Sequence, residues 1–220
     1  MCGRFTQTYS PAFIAKAFRV DKALINIIGS YNIAPTQLVT AIINQGSACF
    51  SQLRWGLIPS WAKDLSLGNK MINARSETLN QKPSFRVALK KRRCLIVADG
   101  FYEWKKEGNF KEPFYIRLKS RQPFGFAGLY DSWKSPEGKE IKSCAIITTE
   151  ANELIKSIHH RMPVIIPKNK EDDWLNPNIQ EPAKALLILK PYASDCLELF
   201  PVSKFVTSPK NNSPQCLEPA

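Results

Sequence analysis

The feature that most constrains the fold of this chain is a series of closely spaced β-type segments between residues 94 and 149. Each segment is short and rich in β-branched or aromatic residues, and turn signals such as Glu107-Gly108-Asn109 separate them. They are 94–98, 101–105, 113–118, 124–129 and 142–149. Segments of this kind pair with their sequence neighbours. We predict an α+β fold with a mainly antiparallel, barrel-like β-sheet core flanked by short helices.

The remaining segments add one hairpin and several helices to this core. The β-type runs 38–43 and 49–55 flank Asn44-Gln45-Gly46-Ser47, which predicts a hairpin turn. Ser10-Pro11 predicts an N-cap followed by a first-turn proline, and so the start of a helix. Further short helices are predicted at 84–91, 150–157, 169–175 and 181–189, and a last strand at 197–202.

One domain is predicted for residues 2–207, because no linker or shift in composition divides the chain. Residues 208–220 are rich in Pro, Asn and Ser and predict a flexible C-terminal tail. No stretch approaches the ~18 consecutive apolar residues of a membrane span. The N-terminus lacks a basic region followed by an apolar run, so we expect no signal peptide and no membrane association.

The charge balance indicates a polyanionic partner. Lys and Arg together number 31 against 19 Asp and Glu, which gives a net charge of +12. Such a basic chain is typical of nucleic-acid binders, although ribosome contacts, membrane surfaces or solubility would produce the same excess. The run Lys90-Lys91-Arg92-Arg93 and the scattered lysines are predicted to supply diffuse attraction.

The six cysteines do not indicate a metal site. None forms a C-x-x-C pair, and the two histidines are adjacent, so we expect no bound metal and no cofactor. Cys94 and Cys144 lie in apolar runs and are predicted to be buried small hydrophobes.

Cys2 is different because removal of Met1 would make it the N-terminal residue. It would then carry an α-amine with a pKa of ~7.7–8.0 beside a thiol with a pKa of ~8.5. Two chemistries suit this 1,2-aminothiol. The thiolate could attack an acyl group with the amine as base, or the pair could condense with an aldehyde, first as an imine and then as a thiazolidine.

Three further segments carry polar groups that packing does not require. In Asp99–Trp104, a strand would place Glu103 on the same face as Phe101, and apolar surroundings would raise its pKa toward neutrality. A solvated strand glutamate is the alternative. Ile158–Pro163 contains both histidines, the natural proton carriers at neutral pH. The third segment is Ile72–Thr78.

Six blocks of sequence occur in one order along the chain: Met1–Phe5, Tyr31–Pro35, Trp55–Trp61, Asn73–Thr78, Ala98–Trp104 and Ile158–Pro163. This series closely resembles the SRAP family, the SOS-response-associated peptidases, also called abasic-site processing proteins. The resemblance extends from Cys2 to about Ser203, nearly the whole chain, and implies the SRAP fold.

The resemblance implies a DNA-damage function. A family member would bind single-stranded DNA containing an abasic site and bond Cys2 to the ring-opened aldehyde as a thiazolidine, which shields the lesion. It implies that Cys2 is the nucleophile and that Asn73 orients Cys2 and the sugar. It also implies that Glu103 transfers protons and that His159 is the active-site histidine.

Arginines beside these residues are predicted to grip phosphates, because guanidinium groups match phosphate oxygens bidentately. Surface salt bridges are the alternative for each. Trp61 with Pro35 would provide a stacking surface, with core packing as the alternative. Ala62 departs from the family pattern, which has an aromatic residue there. The predicted DNA contacts are Arg4, Asn32, Pro35, Trp61, Arg75, Thr148 and Arg161.

Two other functions remain open at this stage. One is an N-terminal-nucleophile cysteine peptidase or autopeptidase, and lyase-like activity is a further implication of the family. The other is a non-enzymatic nucleic-acid-binding module, which would explain the charge and leave the catalytic set unused. We expect a cytoplasmic monomer that is nucleoid-associated when it binds DNA.

Overall fold

Two β-sheets organise the computed structural model, which describes residues 2–20, 28–108 and 110–220. The strands are β1 (Arg4–Gln7), β2 (Ser30–Ile33), β3 (Leu38–Asn44), β4 (Ala48–Trp55), β5 (Asn73–Arg75), β6 (Arg93–Ala98), β7 (Gly100–Glu107), β8 (Phe110–Leu118), β9 (Phe124–Lys134), β10 (Glu140–Glu150), β11 (Arg161–Pro163), β12 (Ile165–Ile166) and β13 (Leu197–Pro201). The helices are α1 (Pro11–Phe18), α2 (Pro83–Lys91), α3 (Glu153–Lys156), α4 (Glu171–Leu175) and α5 (Pro182–Leu186). None of these helices is long and apolar enough to cross a membrane.

Five strands of the larger sheet close into a ring. Around the ring, β10 pairs with β4, β4 with β3, β3 with β6, β6 with β9, and β9 with β10. Only the β10–β4 pairing in the ring is parallel. The smaller sheet has the order β13-β8-β7-β1-β2 and is antiparallel throughout. The predicted α+β fold with a barrel-like core is therefore confirmed.

Side-chain alternation on the ring strands separates two apolar clusters. One draws residues from every ring strand, including Trp55, Phe126 and Ile146, and joins Phe5 and Phe101 of the smaller sheet. The other lies on the opposite face of the ring, beneath α1, α2, α4 and α5. The core thus reaches from the barrel interior to β1 and β7, the strands that carry the site described below.

Local signals predicted several elements correctly. Ser10 caps α1, its Oγ accepting from the backbone N–H of Phe13 at 3.3 Å. The β3–β4 hairpin turns through Gly46, whose φ of 94° suits glycine. The helix predicted at 150–157 is shorter, because β10 extends to Glu150 and the Asn152 side chain caps α3.

The cysteines predicted to be buried are confirmed. Cys94 and Cys144 are fully buried and belong to the cluster inside the ring. Burial raises the pKa of both thiols, so they remain protonated at neutral pH.

The basic run 90–93 was predicted to attract a polyanionic partner diffusely. For Arg93 this prediction is wrong, because Arg93 is buried. Its guanidinium donates to the backbone carbonyls of Trp174, Leu89, Ile179 and Asn176 at 2.5 to 2.9 Å. A buried guanidinium must have its donors satisfied, and these carbonyls at chain ends need donors. Arg93 therefore joins β6 to the ends of α2 and α4.

The C-terminal residues 208–220 do not form the flexible tail that their composition predicts. Val202 pairs with Pro219 in a β-bridge, and Cys216 is fully buried. The side chain of Asn212 accepts hydrogen bonds from β2. Polar side chains that suit a solvated tail serve here as hydrogen-bond partners of the small sheet, which composition alone does not reveal.

Replacing Arg93 with Met should destabilise the fold by about 3 kcal/mol, because buried carbonyls lose a charged donor. Urea unfolding measures the change. Lys91→Met is the matched control, since Lys91 is exposed in the same basic run. Equal midpoints for the two variants would contradict the structural role of Arg93.

Candidate active site

Cys2 lies buried just before β1, within reach of β5. Parallel pairing of β5 with β10 places Asn73 opposite Ile146. From there the Asn73 Nδ2 donates to the Cys2 carbonyl oxygen at 2.8 Å, while the Cys2 thiol lies 3.9 Å from the carbonyl oxygen of Arg4. The Asn73 Oδ1 is buried and accepts no hydrogen bond from the described residues. Asn73 thus holds the Cys2 backbone and retains an unused acceptor.

Antiparallel pairing of β1 with β7 brings Glu103 to the same place. Arg4 pairs with Tyr102 and Phe5 with Phe101, so Glu103 lies opposite the chain segment that enters β1. Glu103 is buried. Burial raises its pKa above the usual carboxyl value. The sequence-based expectation of a carboxyl held among apolar groups agrees with this environment.

Cys2 and Glu103 interact electrostatically. Burial raises the pKa of the Cys2 thiol above its ordinary range, and the nearby Glu103 carboxylate raises it further. The thiol is therefore protonated at neutral pH. A protonated thiol is a poor direct nucleophile.

Asp99 fixes the register between β1 and β7. Its carboxylate accepts from the Thr6 hydroxyl and from the backbone and hydroxyl of Thr8, and its backbone N–H donates to the Thr6 carbonyl at 3.0 Å. Gly100 follows without a side chain, because a Cβ there would lie 2.1 Å from the Tyr115 hydroxyl oxygen. This network fixes the register of β1 against β7, and so the position of Cys2 relative to Glu103.

His159 lies in the turn between α3 and β11. Its Nδ1 lies 3.0 Å from the Arg161 backbone nitrogen and 3.1 Å from the Arg161 carbonyl oxygen, so either tautomer of the ring finds a backbone partner. Burial lowers the His159 pKa, which favours the neutral ring. The exposed His160 ring stacks on His159 with centroids 4.4 Å apart. A charge on His160 would lower the pKa of Glu103, against the larger effect of burial.

Arg161 and Thr148 form part of the wall of the site. The Arg161 guanidinium makes two contacts with the Glu77 carboxylate, at 2.7 and 3.0 Å, and donates to the Thr148 carbonyl at 2.7 Å. Arg161 and Thr148 are both buried. The predicted phosphate contact would require Arg161 to leave Glu77. The sequence did not predict this pairing of Glu77 with Arg161, although Glu77 lies within the block 73–78.

Arg4 and Asn32 also have partners within the protein. Arg4 donates to the Asn32 side-chain oxygen at 2.8 Å and to the carbonyls of Val206 and Thr207 at 3.0 Å each. Asn32 is buried, and its Nδ2 lies 2.8 Å from the Asn211 carbonyl oxygen. Arg4 and Asn32 thus hydrogen-bond with C-terminal carbonyls, and their contacts with DNA stay predictions.

The remaining predicted DNA contacts are more accessible. Arg75 is exposed at the end of β5, and its side chain has no hydrogen bond or ion pair with the described residues. Trp61 is 60% exposed and lines cavities of about 330 and 230 Å³. Pro35 is half-buried in the turn between β2 and β3. By contrast, Trp55 is fully buried in the core.

The site is built from side chains without a candidate metal centre in the described ranges. No cluster of three or more His, Cys, Asp or Glu side chains suited to a metal ion occurs there. The side chains of Cys2, Glu103 and His159 offer a thiol, a carboxyl and an imidazole.

The barrel thus carries a buried Cys2 and a buried Glu103 at one site. The sequence model of the family described as SOS response associated peptidase (SRAP) matches residues 1–209. The chain belongs to this family, which confirms the resemblance seen in the sequence.

Named relatives and a solved structure agree with this assignment. The abasic site processing protein YoqW of Bacillus subtilis (strain 168) is 50% identical over 222 residues, covering 99% of both chains. The abasic site processing protein HMCES of Gallus gallus is 34% identical over 191 residues, covering 76% of this chain and 56% of its own. A crystal structure of a protein from Bacteroides thetaiotaomicron is similar over 100% of both chains, with a TM-score of 0.89 and 28% identity.

The raised pKa of Glu103 predicts a pH-dependent stability. A carboxyl whose folded pKa exceeds its unfolded value of about 4.3 costs stability as pH rises above that value. Glu103→Gln removes this cost. The variant should therefore gain stability relative to the wild type between pH 4 and pH 7, measured by urea unfolding across that range. Parallel pH profiles would contradict a raised Glu103 pKa.

Proposed function

We propose that this protein processes abasic sites in single-stranded DNA by forming a thiazolidine crosslink through Cys2. The observation that carries the proposal is the position of Cys2, which Asn73 holds and Glu103 adjoins. Relatives named abasic site processing proteins, including one that is 50% identical, support the same substrate class. The crosslink would shield the lesion.

The reaction begins after removal of Met1, which frees the Cys2 amine. The amine adds to the aldehyde carbon of the ring-opened sugar and gives a carbinolamine. Glu103, protonated, donates to the departing hydroxyl, which leaves as water, and an imine forms. The Cys2 sulfur then adds to the imine carbon while its proton passes to the nitrogen. One aldehyde and one aminothiol thus give one thiazolidine and one water.

The state of the thiol favours this sequence over peptidase chemistry. A peptidase nucleophile must be a thiolate at the moment of attack, whereas the Cys2 thiol is buried and protonated. In thiazolidine formation the amine attacks first, and the thiol acts only once the imine carbon lies beside it. Glu103 can accept the thiol proton at that second step.

Asn73 and His159 have complementary roles in the proposal. Asn73 positions Cys2 without changing its charge, and its unused Oδ1 offers an acceptor to a sugar hydroxyl. His159, whose lowered pKa favours the neutral ring, can exchange a proton with an oxygen of the sugar as the ring opens. Glu103 on β7 and His159 in the turn before β11 can therefore both take part in proton transfer.

In this proposal the net positive charge of the protein attracts the DNA strand, and a few exposed side chains hold the strand beside the site. Arg75 is exposed two residues after Asn73, so its guanidinium can contact a phosphate next to the lesion. Trp61 provides an exposed ring on which a base can stack. The net charge of +12 adds long-range attraction.

Crosslinking can be tested with an oligonucleotide that contains uracil and is pretreated with uracil glycosylase. The wild type should give a heat-stable shifted band on a denaturing gel, and Cys2→Ala should give none. Cys196→Ala is the matched control, since Cys196 is exposed and remote in sequence, and it should retain the band. No band with the wild type, or an equal band with Cys2→Ala, would overturn the proposal.

The same assay separates the aldehyde reaction from peptidase chemistry. An N-terminal extension that stays attached converts the Cys2 amine to an amide and should abolish the band. Intact-mass analysis shows whether the extension is still present. Loss of the extension from purified protein would instead support an autopeptidase.

Phosphate contact by Arg75 predicts a change in salt dependence. Arg75→Gln should flatten the slope of log K against log salt by about 0.7 for single-stranded DNA. Fluorescence anisotropy with an undamaged oligonucleotide measures the slope. Arg117→Gln is the control, because Arg117 is paired with Glu198 at 2.7 Å on the β8–β13 edge. An unchanged slope for Arg75→Gln would remove Arg75 from the DNA interface.

A further inference from the structure

We propose that the C-terminal strap, residues 202–220, is a positioning element that holds the Cys2 site in place, with Arg4 and Asn32 as its anchors. The inference rests on the proposed role of Cys2 as the reacting residue. It assigns to Arg4 and Asn32 a function within the protein instead of the DNA contact that their sequence blocks imply.

The first anchor is Arg4, two residues after Cys2. Its guanidinium reaches the carbonyls of Val206 and Thr207 in the strap and the side-chain oxygen of Asn32 on β2. Burial lowers the Arg4 pKa, as expected for a guanidinium that faces protein as well as water. The Arg4 guanidinium therefore donates three hydrogen bonds within the protein in the absence of DNA.

The second anchor is Asn32, which is 1% exposed. Its Nδ2 lies 3.1 Å from the Val206 carbonyl oxygen, 3.0 Å from that of Ser208 and 2.8 Å from that of Asn211. Nearby, the Asn212 Oδ1 accepts from the β2 backbone at 2.7 Å. A buried amide surrounded by main-chain carbonyls of one segment fixes the path of that segment.

The strap also holds the partner strand of β1. Tyr102, directly before Glu103, is fully buried in a cluster with Val202, Val206 and Cys216. Its hydroxyl donates to the Tyr31 carbonyl oxygen of β2 at 2.8 Å and lies 3.4 Å from the Cys216 carbonyl oxygen. Arg4 and Tyr102 face each other across β1 and β7. The strap thus restrains the cross-strand pair of Arg4 and Tyr102. Cys2 lies two residues before Arg4, and Glu103 directly follows Tyr102.

The need for a restraint follows from the shortness of β1. The strand has four residues and its pairing with β2 includes an irregularity. Chain termini with so few ladder hydrogen bonds open readily. Cys2 precedes the strand, so its position depends on whatever holds Arg4.

The strap extends past the part of the chain that defines the family. The family match ends at residue 209, whereas Asn211, Asn212 and Cys216 lie beyond it. The curated Bacillus subtilis relative, in contrast, aligns over 99% of this chain. The contacts of Asn211, Asn212 and Cys216 therefore lie beyond the matched region, whereas those of Val206, Thr207 and Ser208 lie within it.

Cysteine labelling tests the strap without DNA. A chain that ends at Ser208 and the variant Arg4→Gln are treated with iodoacetamide, and alkylation of each cysteine is followed by peptide mass spectrometry. Cys2 should react about tenfold or more faster than in the full-length wild type, because local opening exposes it. Cys94 and Cys144, buried inside the ring, are internal controls and should stay protected.

Two labelling results would overturn the proposal. Unchanged Cys2 labelling in both variants would show that the strap does not hold this residue. An equal rise at Cys94 and Cys144 would show that the strap stabilises the whole fold and has no local role. Arg117→Gln controls for removal of a cation from the same sheet and should leave Cys2 protected.

Salt dependence distinguishes an anchor from a phosphate contact. Arg4→Gln should slow crosslinking while the slope of log K against log salt stays at the wild-type value. A flattened slope, like the one expected for Arg75→Gln, would place Arg4 on DNA and overturn its assignment. If the wild type forms no crosslink, the proposed function fails, and labelling alone still decides whether the strap holds Cys2.

Discussion

The pairing of β1 with β7 is the constraint on which the site depends. It places the chain segment that carries Cys2 opposite Glu103, and a register error of one residue would turn each side chain to the other face of the sheet. Asp99 and the close approach at Gly100 prevent such a shift. The apolar cluster that contains Phe5 and Phe101 then anchors both strands to the barrel.

Burial gives the site its chemical character. Water is largely excluded from Cys2 and Glu103, and this burial raises the pKa of both groups. Burial also lowers the His159 pKa, which favours its neutral ring. Groups with pKa values shifted in this way suit the proton transfers of the condensation that we propose for Cys2.

The arginines show why a charge count does not define a binding surface. Arg93 satisfies carbonyls at helix ends, Arg161 is paired with Glu77, and Arg4 donates to the strap. Arg75 keeps its guanidinium exposed. Arginine has five donors in a planar fork, which suits buried carbonyls and carboxylates as well as phosphates. Sequence position alone cannot distinguish these partners.

The sequence by itself determined the strand segments, the cap of α1 at Ser10 and the α+β class, because these depend on local periodicity and turn chemistry. Ordered motifs also identified the family. Only the tertiary structure decided which polar groups meet. The strap on β2, the partners of Arg4 and the Glu77–Arg161 pair join residues far apart in the chain. Such contacts follow from how the sheets close, and neither composition nor local pattern records that closure.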